Sequence, residues 1–339
     1  MTGTTRTPWK AILAPYTEPC ARRGSAAIVT SVLPYLALTV AMYLLYTISP
    51  LLSLVLLLPA AGFLVRTFVV FHDCAHGSLL PSRRANAIFG NILGVLVLAP
   101  YAAWRHEHAV HHATHGDLDR RGTGDVETLT VREYNERGWG GRFAYRAFRN
   151  PLIMFGLGPI FAMIIRPRLI SADMRPRIRN SILANDLALA VVGVAVGWLF
   201  GWWQLLIIWL PTAMIAGAAG IFLFYVQHQF EDAYWERGDD WSYYDAALRG
   251  SSYLKLPAIL NFFSANIGFH HLHHLNARIP SYHLPEAHRS SPDFAKVPTL
   301  TMLDGVRCVR YKLWDEQSRR MVGFAEARAS LRAGQAATA

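Results

Sequence analysis

The sequence predicts an all-α integral membrane protein: four transmembrane helices in two hairpins, interfacial helices beside them, and a histidine-rich cap on the cytoplasmic side. Three observations lead there. Of 339 residues, 53% are hydrophobic and 17% charged, too apolar a balance for a soluble chain of this length. Four long apolar runs each suffice to cross a hydrocarbon core of about 30 Å at about 1.5 Å per helical residue. Eleven of the fourteen histidines fall within residues 72–76, 106–115 and 270–274, past the ends of those runs.

The same composition excludes a disordered chain, a collagen and a disulfide scaffold. Cys20, Cys74 and Cys308 are far apart with no C-x-x-C between them, which speaks against disulfides and thiolate metal sites and suits a reducing compartment. The net charge of +10 lies in arginines that flank apolar segments. With no nucleic-acid motif present, these read as topology and headgroup contacts rather than a nucleic-acid surface.

Residues 1–25 form a basic cytoplasmic segment whose following apolar run is too long for a signal peptide, so an unprocessed start is expected. The membrane domain then covers 26–284. Ala26 to Ile48 and Leu51 to Phe71 make the first hairpin, turning at Ser49-Pro50, with Arg66 close enough to the end of its span to snorkel out. Leu183 to Trp203 and Leu205 to Val226 make the second, turning at Gly201 to Gln204. The spans are thus about 26–48, 51–71, 183–203 and 205–226, and 285–339 is a cytoplasmic tail.

Neither turn holds a lysine or arginine, whereas residues 1–25 hold four and residues 166–181 hold five. Both termini are therefore expected in the cytoplasm. Ala87 to Ala103 and Pro151 to Ile165 are shorter and broken by glycine and proline, as interfacial or re-entrant segments are. The stretch Ala216 to Gly220 reads as close helix packing. Trp198, Trp202, Trp203 and Trp209 read as an aromatic belt. Four lysines among 33 basic residues, with many alanines, point to a GC-rich bacterial genome and so to a bacterial cytoplasmic membrane.

The histidines carry the chemistry. His72 and His76 stand four apart, as ligands on one helical face do. His108, His111 and His112 form an H-x-x-H-H box, and His270, His273 and His274 repeat it. Two such boxes beside an H-x-x-x-H argue against chance. His228, where the fourth run ends, is a ninth candidate. So many imidazoles on one side of a membrane suit two metal ions, with nitrogen donors favouring iron, zinc or copper over magnesium or calcium. Asp73 and Glu107 adjoin the boxes and keep a zinc hydrolase in view. His106, His115 and His271 are alternative ligands or supporting hydrogen-bond partners. His283 and His288 read as surface residues, and Asp73 and Asn266 as groups that orient imidazoles or cap helices.

The set His-Asp-Cys-Ala-His, Trp-Arg-His-Glu-His-Ala-Val-His-His, Tyr-Val-Gln-His-Gln-Phe and Asn-Ile-Gly-Phe-His-His-Leu-His-His-Leu resembles the membrane fatty acid desaturases. Within them it looks most like the acyl-lipid, delta-12 or omega-6 type branch, and the likeness runs from about Leu51 to about Leu284. It implies a non-haem di-iron centre of two Fe ions in a four-span helical protein, with ligands at His72, His76, His108, His111, His112, His228, His270, His273 and His274. It also implies O2 as co-substrate and a fatty acyl chain carried on a lipid. Electrons would come from a separate donor, a ferredoxin or a b5-type cytochrome. Some acyl-CoA relatives have an asparagine one turn before the histidine of the last span; Phe224 stands there in this chain. The readings to be set against desaturation are a hydroxylase or ketolase of the same superfamily and a histidine-rich metal transporter, whose ligands would lie within the spans.

Overall fold

The computed structural model describes residues 9–329, so the expectations for the start of the chain, Arg6 included, lie outside the described residues. The protein is mostly helical. Four helices are long and apolar enough to cross a membrane: Ala21–Tyr46, Leu57–His76, Pro176–Phe200 and Trp202–His228. Counting each of two bent pairs as one further span raises that to six.

On the first helix Val29, Leu33, Leu36, Val40 and Leu44 are exposed at spacings of three and four, while Ser31, Tyr35 and Met42 are buried. An apolar face open to the outside is what a helix solvated by lipid requires. Leu57–His76 is the most enclosed of the four. It packs against the first helix, against Trp202–His228 and against Arg83–Leu96. Its buried residues recur at Ala61, Leu64, Val65, Val69 and His72, which brings the first histidine box into the interior.

The second apolar run, expected as one helix, is broken: Pro50–Val55 ends before Leu57–His76 begins. Pro59 explains the break, having no N–H for the Val55 carbonyl and a ring that crowds it. The last two long helices meet at Gly201, where φ is +97°. That conformation favours glycine and permits an immediate reversal. These helices outrun their apolar stretches, beginning at Pro176 and ending at His228, because backbone hydrogen bonding continues past the lipid-like residues.

The two shorter stretches belong to bent pairs. Arg83–Leu96 and Tyr101–Thr114 meet at 100°, and Trp139–Phe148 and Ile153–Arg168 at 61°. At the sharper bend Ala99 N–H donates to Gly94 O at 2.8 Å, and a Cβ on Gly94 would stand 2.5 Å from Ala99 O. Only glycine admits so close an approach. Gly217 is likewise a packing residue, since a Cβ there would lie 2.6 Å from Met163 Sδ and 2.8 Å from Pro159 Cβ. Asp186 takes a polar neighbour, pairing with Arg168 at 3.1 Å. The Arg66 guanidinium donates to Phe262 O and lies 4.2 Å from the Phe262 ring, on the distant short helix Ala258–Phe263.

The segment expected as a tail is packed against the rest of the protein, with buried residues as far as Ala327. Leu313–Asp315 pairs in parallel with Leu129–Thr130 and antiparallel with Arg320–Val322. Leu313, Trp314, Met321 and Val322 are buried. Arg149, 0% exposed, ties this unit to the membrane helices. It donates to Glu127 O at 2.7 Å, Gln229 Oε1 at 2.8 Å, Tyr225 Oη at 3.0 Å and Tyr311 O at 3.2 Å. So short a pairing of strands leaves no alternating pattern to read in advance.

Candidate metal centre

Local structure aims each imidazole. His72 and His76 lie on the last turns of Leu57–His76, which ends at Gly77 with φ +70°. His108, His111 and His112 lie on Tyr101–Thr114, and His270, His273 and His274 on the short helix His270–Leu275. His228 is the last residue of Trp202–His228. All nine meet in one region, as two adjoining groups.

The larger group takes one nitrogen from each of His72, His76, His108, His112 and His273, all within 4.8 Å of one another. Their Nε2 atoms are separated by 3.3 Å (His76 to His72), 3.0 Å (His72 to His273), 2.9 Å (His273 to His112) and 3.1 Å (His112 to His108). The second group is His111, His228 and His274, within the same limit. His270 Nε2 lies 3.0 Å from His228 Nε2. The His112 and His274 rings stack with centroids 4.2 Å apart and join the two groups.

Hydrogen bonding alone does not satisfy this arrangement. Each ring nitrogen presents either one hydrogen or one lone pair, yet the Nε2 atoms of His72, His273 and His112 each face two others. His111 Nε2 and His274 Nε2 are buried without any hydrogen-bond partner. A shared cation resolves the conflict: two nitrogens about 2.1 Å from one centre and at right angles to each other lie about 3.0 Å apart. Burial, with the neighbouring histidines second, pushes His270, His273 and His274 well below the usual imidazole range. They are neutral donors, the form a metal takes.

The residues around the groups sort themselves by contact. Asp73 Oδ1 is 3.3 Å from His72 Nδ1, and its Oδ2 accepts from Ser281 N at 2.7 Å, so it holds the imidazole of the first box. Asn266 donates to Ser281 O at 3.2 Å instead of to an imidazole. Glu107 pairs with Arg166 at 3.2 Å. Phe224 presses its ring on His111 and His228, with centroids 5.1 and 4.9 Å away, and offers no ligand atom.

His106 is exposed. His115 is buried beside His228, with ring centroids 4.2 Å apart, and its Nε2 donates to Gly250 O at 2.9 Å. His271 is buried and bonds His288 Nδ1 at 3.2 Å, outside both groups. His283 and His288 are half-buried rather than on the surface, because His283 meets Glu286 at 3.1 Å and Arg23 at 3.0 Å. Asp125 was missed: it accepts from His111 Nδ1. The sequence signal for it is the flanking Gly-Thr-Gly of residues 122–124, which lets the chain double back.

Apolar helices carrying a buried imidazole cluster able to hold metal define a class of helical membrane metalloprotein, and the comparisons with known proteins narrow it. The family model for fatty acid desaturase matches residues 23–303. A fatty acid desaturase of Bacillus subtilis (strain 168) is 41% identical over 312 residues, covering 92% of this chain and 89% of that protein. An sn-1 acyl-lipid omega-3 desaturase (ferredoxin) of Synechocystis is 30% identical over 65% of this chain and 62% of its own length. An endoplasmic reticulum omega-3 fatty acid desaturase of Nicotiana tabacum is 29% identical over 66% of this chain and 60% of its own length. The chain belongs to the fatty acid desaturase family. It is an oxidoreductase acting on fatty acids.

Proposed function

We propose that this protein inserts a double bond into a lipid-linked fatty acyl chain of the delta-12 or omega-6 type, using two non-haem irons held by His72, His76, His108, His112 and His273 in one group and His111, His228, His270 and His274 in the other. The observation that carries the reading is the adjoining pair of all-imidazole groups. Asp73 is occupied by His72 and Ser281, and Glu107 by Arg166, so neither carboxylate next to the boxes bridges them as a dinuclear hydrolase would need. When bound, the irons supply with O2 the power to take hydrogen from an unactivated methylene, which no side chain can do.

The balance is one hydrogen from each of two adjacent methylenes, two electrons and two protons per O2, giving the alkene and two waters. The electrons come from a separate ferredoxin or b5-type cytochrome. The protein's contribution is to hold neutral imidazoles in place, keep water out and position the chain. Trp104 stacks on His108 with centroids 4.3 Å apart, and Phe68 and Phe71 pack on Trp104 at 5.6 and 5.1 Å. These three rings wall the larger group with apolar surface. The histidine cap and both termini face the cytoplasm of a bacterial membrane, with the helices in two hairpins.

Expression in a host that makes only saturated and monounsaturated acyl chains, followed by mass spectrometry of intact lipids, tests this. A second double bond in chains still esterified to lipid is expected. A hydroxylated or oxo product would move the protein to the hydroxylase or ketolase branch, and new unsaturation confined to thioesters would overturn the lipid-linked substrate.

A further inference from the structure

We propose that Asp125 is the positioning residue of the second histidine group: its carboxylate holds His111 with the proton on Nδ1 and the lone pair on Nε2, and thereby determines metal binding by that group and not by the group of five. The inference rests on the di-iron reading above.

Asp125 lies in no histidine box and stands fourteen residues beyond the side chain it meets. Its side chain is 6% exposed and that of His111 1%. One carboxylate oxygen accepts from His111 Nδ1, while the other, Oδ2, is buried without a partner. On the far side of the ring His111 Nε2 is also buried and unpartnered, and it belongs with His228 and His274. A ring whose Nδ1–H is held by a carboxylate presents one tautomer and one orientation, with the lone pair of the opposite nitrogen directed away from the carboxylate.

The approach is built into the backbone. Gly122 and Gly124 have φ of +110° and +72°, and a Cβ on Gly124 would stand 3.0 Å from Glu107 O and 3.1 Å from His111 Cβ. Those two glycines bring the chain flat against the helix that bears His111. By contrast, His228 Nδ1 and His270 Nδ1 are buried without a hydrogen-bond partner. In the group of five Asp73 already serves His72. Asp125 therefore acts on one group only.

The competing reading makes Asp125 a metal ligand, since it also lies within 4.8 Å of donors on His111 and His115. Asparagine separates the two, because its carbonyl oxygen accepts the same Nδ1–H but is a poor metal donor beside a carboxylate. The test loads the full-length parent, Asp125→Ala and Asp125→Asn with ferrous iron in mild detergent. It counts iron per chain under increasing chelator and records Mössbauer spectra with 57Fe. The parent should hold two irons. Asp125→Ala should give up one of them at about ten- to hundredfold lower chelator and keep the other at the parent's affinity, the retained iron also reporting an intact fold. Asp125→Asn should keep both, with one of two quadrupole doublets shifted.

A parent with two irons beside an Asp125→Ala that matches it in both affinities sinks this inference alone. So does an Asp125→Asn whose second position is as empty as in the alanine variant. If Asp125→Ala folds too poorly to load, the asparagine variant decides: two irons with one doublet shifted support the role, and two unshifted doublets overturn it. A parent that holds fewer than two irons sinks the di-iron reading and this inference with it.

Discussion

His106 and His108 stand two residues apart on one helix, and only the second faces the cluster. A step of two turns a helical side chain by about 200°, which sends His106 outward while His108 joins His112 and His72. Spacing alone left His106 open as an alternative ligand, because the direction of a helix face is set by its neighbours. His106→Ala should keep activity within about twofold, as expected for an exposed side chain. His273→Ala should abolish it and lower iron content, since His273 Nε2 faces both His72 and His112 at 3.0 and 2.9 Å. Oxygen consumption with a saturating donor, alongside metal analysis, reads both outcomes.

The elements that carry these side chains owe their ends to local chemistry and their packing to distant residues. Pro59 splitting a long apolar run is visible in the residue itself. The strand at Leu313–Asp315 is not, and it brings a cost of its own. Lys312, next to it, is buried at 6% exposure with Nζ lacking a hydrogen-bond partner. Burial, with nearby Arg149 second, pushes its ammonium down from 10.5 to about 7. An unfolded lysine keeps its proton up to about 10.5, so between about 7 and that value the unfolded chain binds more protons and stability rises with pH. Lys312→Met should therefore unfold at a higher temperature than the parent near pH 6.5, where the penalty is full, and the gap should narrow by about pH 10. Thermal unfolding of the two purified proteins at both pH values checks it. An unchanged gap would mean that the ammonium carries no such penalty.

Across the whole molecule, the boxes must share one side of the membrane for one set of helices to gather them. Reporter fusions placed in connecting segments after Ser49, Gly116, Asp173, Gly201 and Asp240 are expected to read outside, inside, inside, outside, inside. An outside signal after Gly116 would make Arg83–Leu96 and Tyr101–Thr114 a true crossing and overturn the proposed orientation. Several arginines between residues 120 and 149 are engaged by neighbouring groups. Arg149 is fully buried, Arg121 pairs with Glu133, Arg120 with Asp117 and Arg137 with Glu127. Arg83, Arg84, Arg105 and Arg142 are exposed, and Arg132 reaches Glu316 at 3.9 Å.

Long apolar runs, helix-breaking prolines and histidines three and four apart are properties of neighbouring residues, and for that reason the sequence by itself determined a helical membrane protein and its candidate imidazoles. Other features depend on parts of the chain far apart in sequence. Only the tertiary structure decided that the imidazoles gather as a group of five and an adjoining group that His270 meets through His228, that Asp125 reaches back to His111, and that the Phe224 ring packs on His111. It also decided that residues past 284 fold back onto Leu129–Thr130 and Arg149. The physical reason is the same in each case: helical periodicity places a side chain on a face, but burial against other elements determines which partner that face meets.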